Sequence, residues 1–438
     1  MSFVILQNIF WFLIMIGVMI LIHELGHYWA ARFFDVKVDT FSFGFGPRLF
    51  GFKKGETDFR FSAILLGGYV KMVGEQPGDE HAAEPRSFQA KPRWQRLIIV
   101  FAGPAMNIIL AVAVLTGLFM VRFPKVPSSP SPVIGYVVPN SAAAKAGLQE
   151  GDRIVEIGDT PNPTWEDIGV KEVASAGHPL AVQIVRGGEL KLLTVTPVLD
   201  PKTGAGFAGW GEQADIEIAS ALVGSPASKA GLKPGDLIVS VDGQPIHSTP
   251  KVHDIINANA GKPVDVVFSR EGKPMTAHLT PVMSESNGAK DWMIGVSLQQ
   301  KVVFVSLALP EALSESVRQN MKSAGFIYQF LRGVAERRMS PKSVYGPIGI
   351  VQISGEEARE GAIPFLGLMA GLSLNLAVVN LLPIPMLDGA TIFMLLLEMF
   401  MRRDLSLRFK ETAFRLGFVF LMAVVAFVLY NDISKLAG

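Results

Sequence analysis

His23-Glu24-Leu25-Gly26-His27 has the residue types and spacing of a hydrolytic metal centre. Residues four apart share a helix face, so His23 and His27 can offer two imidazoles to one ion while Glu24 stands beside them as a base for water. The same spacing can occur by chance on a solvated helix. Here it ends a run, Ile9 through Ile22, that holds no charge, and ionisable groups in lipid are costly enough to mark function.

Two imidazoles are not enough, because a catalytic zinc takes three protein ligands and keeps one position open. The candidate third is Asp388, an acid in an apolar stretch directly after Pro383-Ile384-Pro385. The stretch 365–400 as one straight helix would be about 54 Å long, well beyond a hydrocarbon core. A break at Pro383 and Pro385 is therefore expected, with irregular backbone around a polar cavity. Asn375 and Asn380 would supply amide groups to that cavity, or else bond one helix to another.

The elements that must position these residues are apolar spans. Of the 438 residues 49% are hydrophobic, and four segments, 4–31, 97–121, 365–400 and 413–430, are long enough to cross a bilayer. The first is not expected to be a cleaved signal peptide, since no basic residue precedes it and the histidine motif stands where a cleavage site would be. A net charge of +1 gives no indication of nucleic acid. The absence of cysteine excludes disulfides, iron–sulfur clusters and thiol nucleophiles, leaving zinc to His and carboxylates.

Eleven Lys/Arg lie in 32–96 and five in 402–415. The positive-inside rule puts both stretches in the cytoplasm, and the N-terminus, 122–364 and the C-terminus outside. With Arg32 at the cytoplasmic exit, His27 and His23 would lie roughly 7 and 14 Å inside it, in the cytoplasmic leaflet.

The external region contains a duplication. Residues 141–155 match 225–239 at ten of fifteen positions, an offset of 84 that reads as holding, without net insertion, through Arg186/Arg270 to Gly211/Gly295. Each copy reads as a short helix, a Gly-Asp turn and several short strands. The pattern A-G-L-x-x-G-D-x-I-V resembles PDZ domains of the permuted bacterial type, which bind extended peptides by strand addition; a structural spacer is the alternative. Between the first two spans, 41–49 and 59–72 read as strands too short to cross. Residues 310–334 have the apolar spacing of an amphipathic helix. His81, His178, His247, His253 and His278 are isolated and read as solvated or structural.

Taken together, His23-Glu24-x-x-His27, Leu387-Asp388-Gly389 and the tandem modules resemble the site-2 protease family, in its regulator-of-sigma-E protease branch, over nearly the whole chain. The resemblance implies an intramembrane zinc metalloprotease of a bacterial inner membrane. Its substrates would be single-span proteins, such as an anti-sigma factor or remnant signal peptides, cut after a first external cleavage in regulated intramembrane proteolysis. It implies Zn2+ on His23, His27 and Asp388, and Glu24 as general base. Asn375 and Asn380 would support substrate binding and the active-site structure. Gly103-Pro104-x-x-Asn107 matches a further family motif in which small residues permit close helix packing. The strands at about 40–75 would form a hairpin sheet dipping into the membrane, whose edge, Gly67-Gly68-Tyr69-Val70, could pair with an unwound substrate; an ordinary cytoplasmic meander is the other reading. Ala390 stands where the family commonly has a second glycine.

The expected architecture is a multi-pass α-helical membrane protein with four spans, a membrane-associated β-hairpin sheet and two periplasmic α+β PDZ-like domains. Its parts are 1–121, the modules 131–212 and 215–298, the helical region 306–345 and the last spans in 365–432. Partners would be the lipid bilayer, single-span substrates and peptide or trimmed substrate ends at the modules, with no nucleic acid. A membrane zinc hydrolase of a lipid or non-protein amide would use the same ligands, and a scaffold with a vestigial site would use none.

Overall fold

The computed structural model describes residues 2–75, 80–81, 83–121, 123–125, 132–200, 205–286, 289–301, 303–336 and 346–437. The chain divides into two compact units, one holding the long apolar helices and the β-hairpin, the other the two repeated modules.

Among the described residues, four helices in the first unit are long and apolar enough to cross a membrane: Phe3–Phe33, Arg93–Val121, Ala362–Asn380 and Leu407–Ser434. They are called the first to fourth spans below. The first and second approach closely because Gly26 has no side chain: a Cβ there would stand 2.3 Å from the Ala102 carbonyl oxygen. The second is continuous through Pro104, whose ring removes one rung of the hydrogen-bond ladder.

The interruption expected near Pro383 and Pro385 is Leu381–Leu387, between the third span and a helix Asp388–Met401. Gly389 makes this turn possible, since a Cβ there would lie 2.1 Å from the Leu382 carbonyl oxygen. Asp388 opens the following helix, where a carboxylate faces the positive end of the dipole.

Between the first two spans lie β1 (Val38–Lys54) and β2 (Thr57–Met72). Residues 40–43 pair with 58–61 and also with 68–71, while 48–54 pair with 57–62. The hairpin is thus folded on itself, and 68–72 forms an edge whose outer side has no strand partner among the described residues. Its core, with Val38, Phe41, Val70 and Met72, joins Ala31 of the first span, Ile99 of the second and Leu395 beyond Asp388.

Helix Leu309–Ala335 occupies the stretch read as amphipathic; residues 337–345 of the expected helical region lie outside the described residues. A helix not expected from sequence, Pro347–Glu360, follows. Its amino end is capped from the fourth span, where the Asp432 carboxylate accepts from the backbone N–H of Gly346 and Ile348 at 2.8 and 2.9 Å. Its other end is tied to the first span by Arg359, which donates to Asn8 Oδ1 at 2.7 Å.

In the second unit the duplication is visible in three dimensions. Asp152 and Asp236, both buried, each receive a two-pronged arginine, Arg186 and Arg270, at 2.6 to 2.7 Å. Strands Lys273–Leu279, Val264–Arg270, Leu237–Val241, Ile216–Ala221 and Val296–Gln300 form one sheet in that order, and their counterparts recur 84 residues earlier up to Val195. Beyond it the register slips. Gly209, not Gly211, is the counterpart of Gly295: their carbonyls accept from Val138 and Leu222 respectively, and each packs against the N-cap serine of its module, Ser141 or Ser225. The second copy therefore carries two extra residues, absorbed in the hairpin Val282–Ser286/Ala289–Met293, which is longer than Val198–Leu199/Gly206–Phe207.

Candidate metal centre

His23 and His27 lie one turn apart on the first span, both buried, with their Nε2 atoms 3.2 Å apart. Asp388 completes the group: its Oδ2 is 3.1 Å from His23 Nε2 and its Oδ1 3.6 Å from His27 Nε2. Around a tetrahedral zinc with bonds of about 2.0 to 2.1 Å, ligand atoms stand roughly 3.3 Å from one another. Two imidazole nitrogens and a carboxylate oxygen at the observed spacings fit such an ion. No other group of His, Cys, Asp or Glu with this property occurs among the described residues.

The second span shapes the cradle. A Cβ on Gly103 would stand 2.2 Å from His27 Nε2 and 2.8 Å from His23 Nε2, so only glycine leaves the nitrogens room. His27 is oriented by a 2.9 Å contact between Nδ1 and the Ile99 carbonyl; with Nδ1 donating, Nε2 keeps its lone pair for a metal. Asn107, wholly buried, lies 3.3 Å from His23 Nδ1 through its amide nitrogen, and its main-chain carbonyl accepts from the Ser373 hydroxyl at 2.9 Å. Asn107 thus does more than permit packing.

Glu24 points toward β2, with its Cγ 3.2 Å from where a Gly68 side chain would start, and its carboxylate is within reach of the Val70 backbone N–H. The edge formed by Gly68, Tyr69 and Val70 therefore passes directly beside it. Gly67, in β2 just before that edge, packs on Phe45, whose ring stacks on Tyr69. Asn375 is exposed and Asn380 half-buried, and neither side chain is hydrogen-bonded to a described residue. Pro385 packs on Gly417 of the fourth span, while Pro383 lies in the Leu381–Leu387 turn.

Sequence reasoning passed over Glu398, although an acid within Leu395-Leu396-Leu397-Glu398-Met399 was a visible signal. Ten residues beyond Asp388 and fully buried, it accepts from Lys410 Nζ at 2.7 Å and the Leu405 backbone at 3.0 Å, and lies 3.9 Å from Arg96. It anchors the far end of the helix that carries Asp388 against the second span. Near Arg32, in the last turn of the first span, Glu56 is bonded by Arg86 and Arg32, and Arg86 also reaches Asp35. The Arg86 guanidinium holds the Glu56 carboxyl down to about 2, with burial opposing and Arg32 adding to the effect.

The family model for peptidase family M50 matches residues 11–424. The regulator of sigma-E protease RseP of Salmonella typhimurium is 31% identical, over 99% of both chains. A Vibrio cholerae protein provisionally named a zinc metalloprotease is 30% identical, again over 99% of both. Among solved structures, the PDZ domain of an SdrC-like protein from Listeria monocytogenes is 24% identical over 20% of this chain and 90% of its own, with a TM-score of 0.18. With the family model covering the metal cradle and extending into all four apolar helices, the chain belongs to peptidase family M50 and is a zinc metalloprotease.

Proposed function

We propose that this chain cuts single-span membrane proteins within the bilayer, using a zinc held by His23, His27 and Asp388. The observation that carries the reading is the convergence of those three side chains, drawn from two separate apolar segments, at the spacing of zinc ligands. When bound, zinc supplies Lewis-acid chemistry, polarising a carbonyl and making water acidic enough to attack near neutral pH. Glu24 is the base: it takes the proton of the attacking water and delivers it to the departing amine. The edge Gly68–Val70 beside Glu24 supports strand addition, in which an unwound substrate segment satisfies its own backbone by pairing with β2 while the bond to be cut faces the carboxylate. The unpaired amides of Asn375 and Asn380 are suited to hold a substrate main chain.

The basic flanks favour a cytoplasmic-leaflet site and two external modules, periplasmic in a bacterial inner membrane. We assign those modules, built on the PDZ-like pattern, to admitting trimmed substrates, by bulk or by binding a cut end. A lipid or small-amide hydrolase would need no edge strand beside its base. The test is purified protein with a single-span model substrate: the parent should cleave it and Glu24→Gln should not. Undiminished cleavage by Glu24→Gln, or hydrolysis of lipid amides but no peptide, would reject the reading.

A further inference from the structure

Both candidate imidazoles meet the second span through Nδ1, but only one of those contacts has a fixed sense. At His27 the partner is the Ile99 carbonyl, which can only accept, so Nδ1 carries the proton and Nε2 is free. At His23 the partner is the Asn107 side-chain amide, which can present either end. The nitrogen stands 3.3 Å from His23 Nδ1, while the oxygen, buried, has no hydrogen-bond partner among the described residues. Which end faces the ring is an assignment made through the hydrogen-bond network. Among the described residues only His23 can decide it, because none of them bonds the other end.

The two choices have opposite consequences. If the amide nitrogen donates to Nδ1, the neutral ring must carry its proton on Nε2, the atom that faces Asp388 and His27. A proton there excludes a metal. If the amide is turned so that its oxygen accepts from Nδ1–H, Nε2 offers a lone pair, as it does at His27. The residue is otherwise well held: it is wholly buried, four residues past Gly103, and its main chain is bonded to Ser373 of the third span.

We infer that Asn107 is a positioning residue whose side-chain oxygen accepts the His23 Nδ1–H bond and so keeps Nε2 as the metal-binding nitrogen. It is the side-chain counterpart of the Ile99 carbonyl, and the second span thereby sets the tautomer of both histidines. The inference rests on the zinc reading above, and it predicts that an oxygen at position 107 matters and an N–H does not.

The experiment uses the purified full chain, with Zn2+ affinity measured by competition with a chromophoric chelator and the visible absorption of the Co2+-loaded protein as a second readout. Asn107→Asp, which keeps acceptors and has no donor, should bind zinc within a few-fold of the parent with an unchanged cobalt spectrum. Asn107→Leu, similar in shape but without an acceptor, should bind about 10- to 100-fold more weakly, the cost of losing a supporting partner. Melting of the metal-free variants identifies those that fold. Even if Asn107→Leu does not fold, Asn107→Asp decides between oxygen and N–H. Zinc affinity in Asn107→Leu equal to the parent, or a large loss in folded Asn107→Asp, would overturn the inference and leave the zinc reading intact. A parent chain that binds no zinc would instead overturn the zinc reading, and this role with it.

Discussion

Gly103→Ala separates metal binding from folding more sharply than any ligand substitution. The added methyl would lie 2.2 Å from His27 Nε2, whereas ordinary contact begins near 3.4 Å, so the ring must retreat by about 1.2 Å. A metal site tolerates errors of only about 0.2 Å in its ligand distances. In the metal-free chain the ring can give way by weakening its Ile99 contact, a cost of about 1 kcal/mol. Alanine also raises helix propensity by about 1 kcal/mol at an interior position. The variant should therefore melt near the parent's temperature without metal while its zinc affinity falls by about 100-fold or more, at or beyond the cost of losing an orienting partner. Thermal melting and metal analysis of the same preparation read both quantities. Stoichiometric zinc in Gly103→Ala with parental affinity would refute the placement of the ion between these nitrogens.

Three further outcomes follow from the same geometry. Gly26→Ala would drive a methyl against the Ala102 backbone, which cannot swing aside; the spans must separate, costing roughly 1 to 3 kcal/mol and lowering the melting temperature. Gly389→Ala meets the Leu382 carbonyl at 2.1 Å and should displace Asp388, lowering zinc content while peptide-free secondary structure by circular dichroism stays near parental. Glu56→Gln should cost about 1 kcal/mol at pH 7 after allowance for screening. Because the Glu56 carboxyl is held down to about 2 from 4.5, its contribution is complete above about 4.5 and is lost as the pH falls toward 2. The melting temperatures of parent and variant should thus converge on acidification, and a gap that persists unchanged at pH 2 would contradict the ion-pair account.

Much of the centre was legible because its signals are local. Two histidines four apart, an acid beside them and an aspartate after Pro-x-Pro need no tertiary information. The apolar spans were equally plain, and the break in 365–400 followed from length and proline alone. What escaped depends on contacts between distant segments. Helix Pro347–Glu360 is held at its amino end by Asp432 and at its far end by Asn8, partners distant in sequence. The double pairing of residues 40–43 follows from β2 bending back, which no alternation of side chains reveals. The two-residue slip between the modules hid behind the chance match of Gly211 with Gly295. Asn107 looked like a packing residue because its type says nothing of which imidazole nitrogen it meets.

The most direct measurement is the zinc X-ray absorption spectrum and stoichiometry of the purified chain beside Asp388→Ala. One zinc per parent chain is expected, with two imidazole nitrogens and a carboxylate oxygen at about 2.0 to 2.2 Å, and zinc well below one per chain in Asp388→Ala. Full zinc occupancy in Asp388→Ala, with an unchanged spectrum, would contradict it.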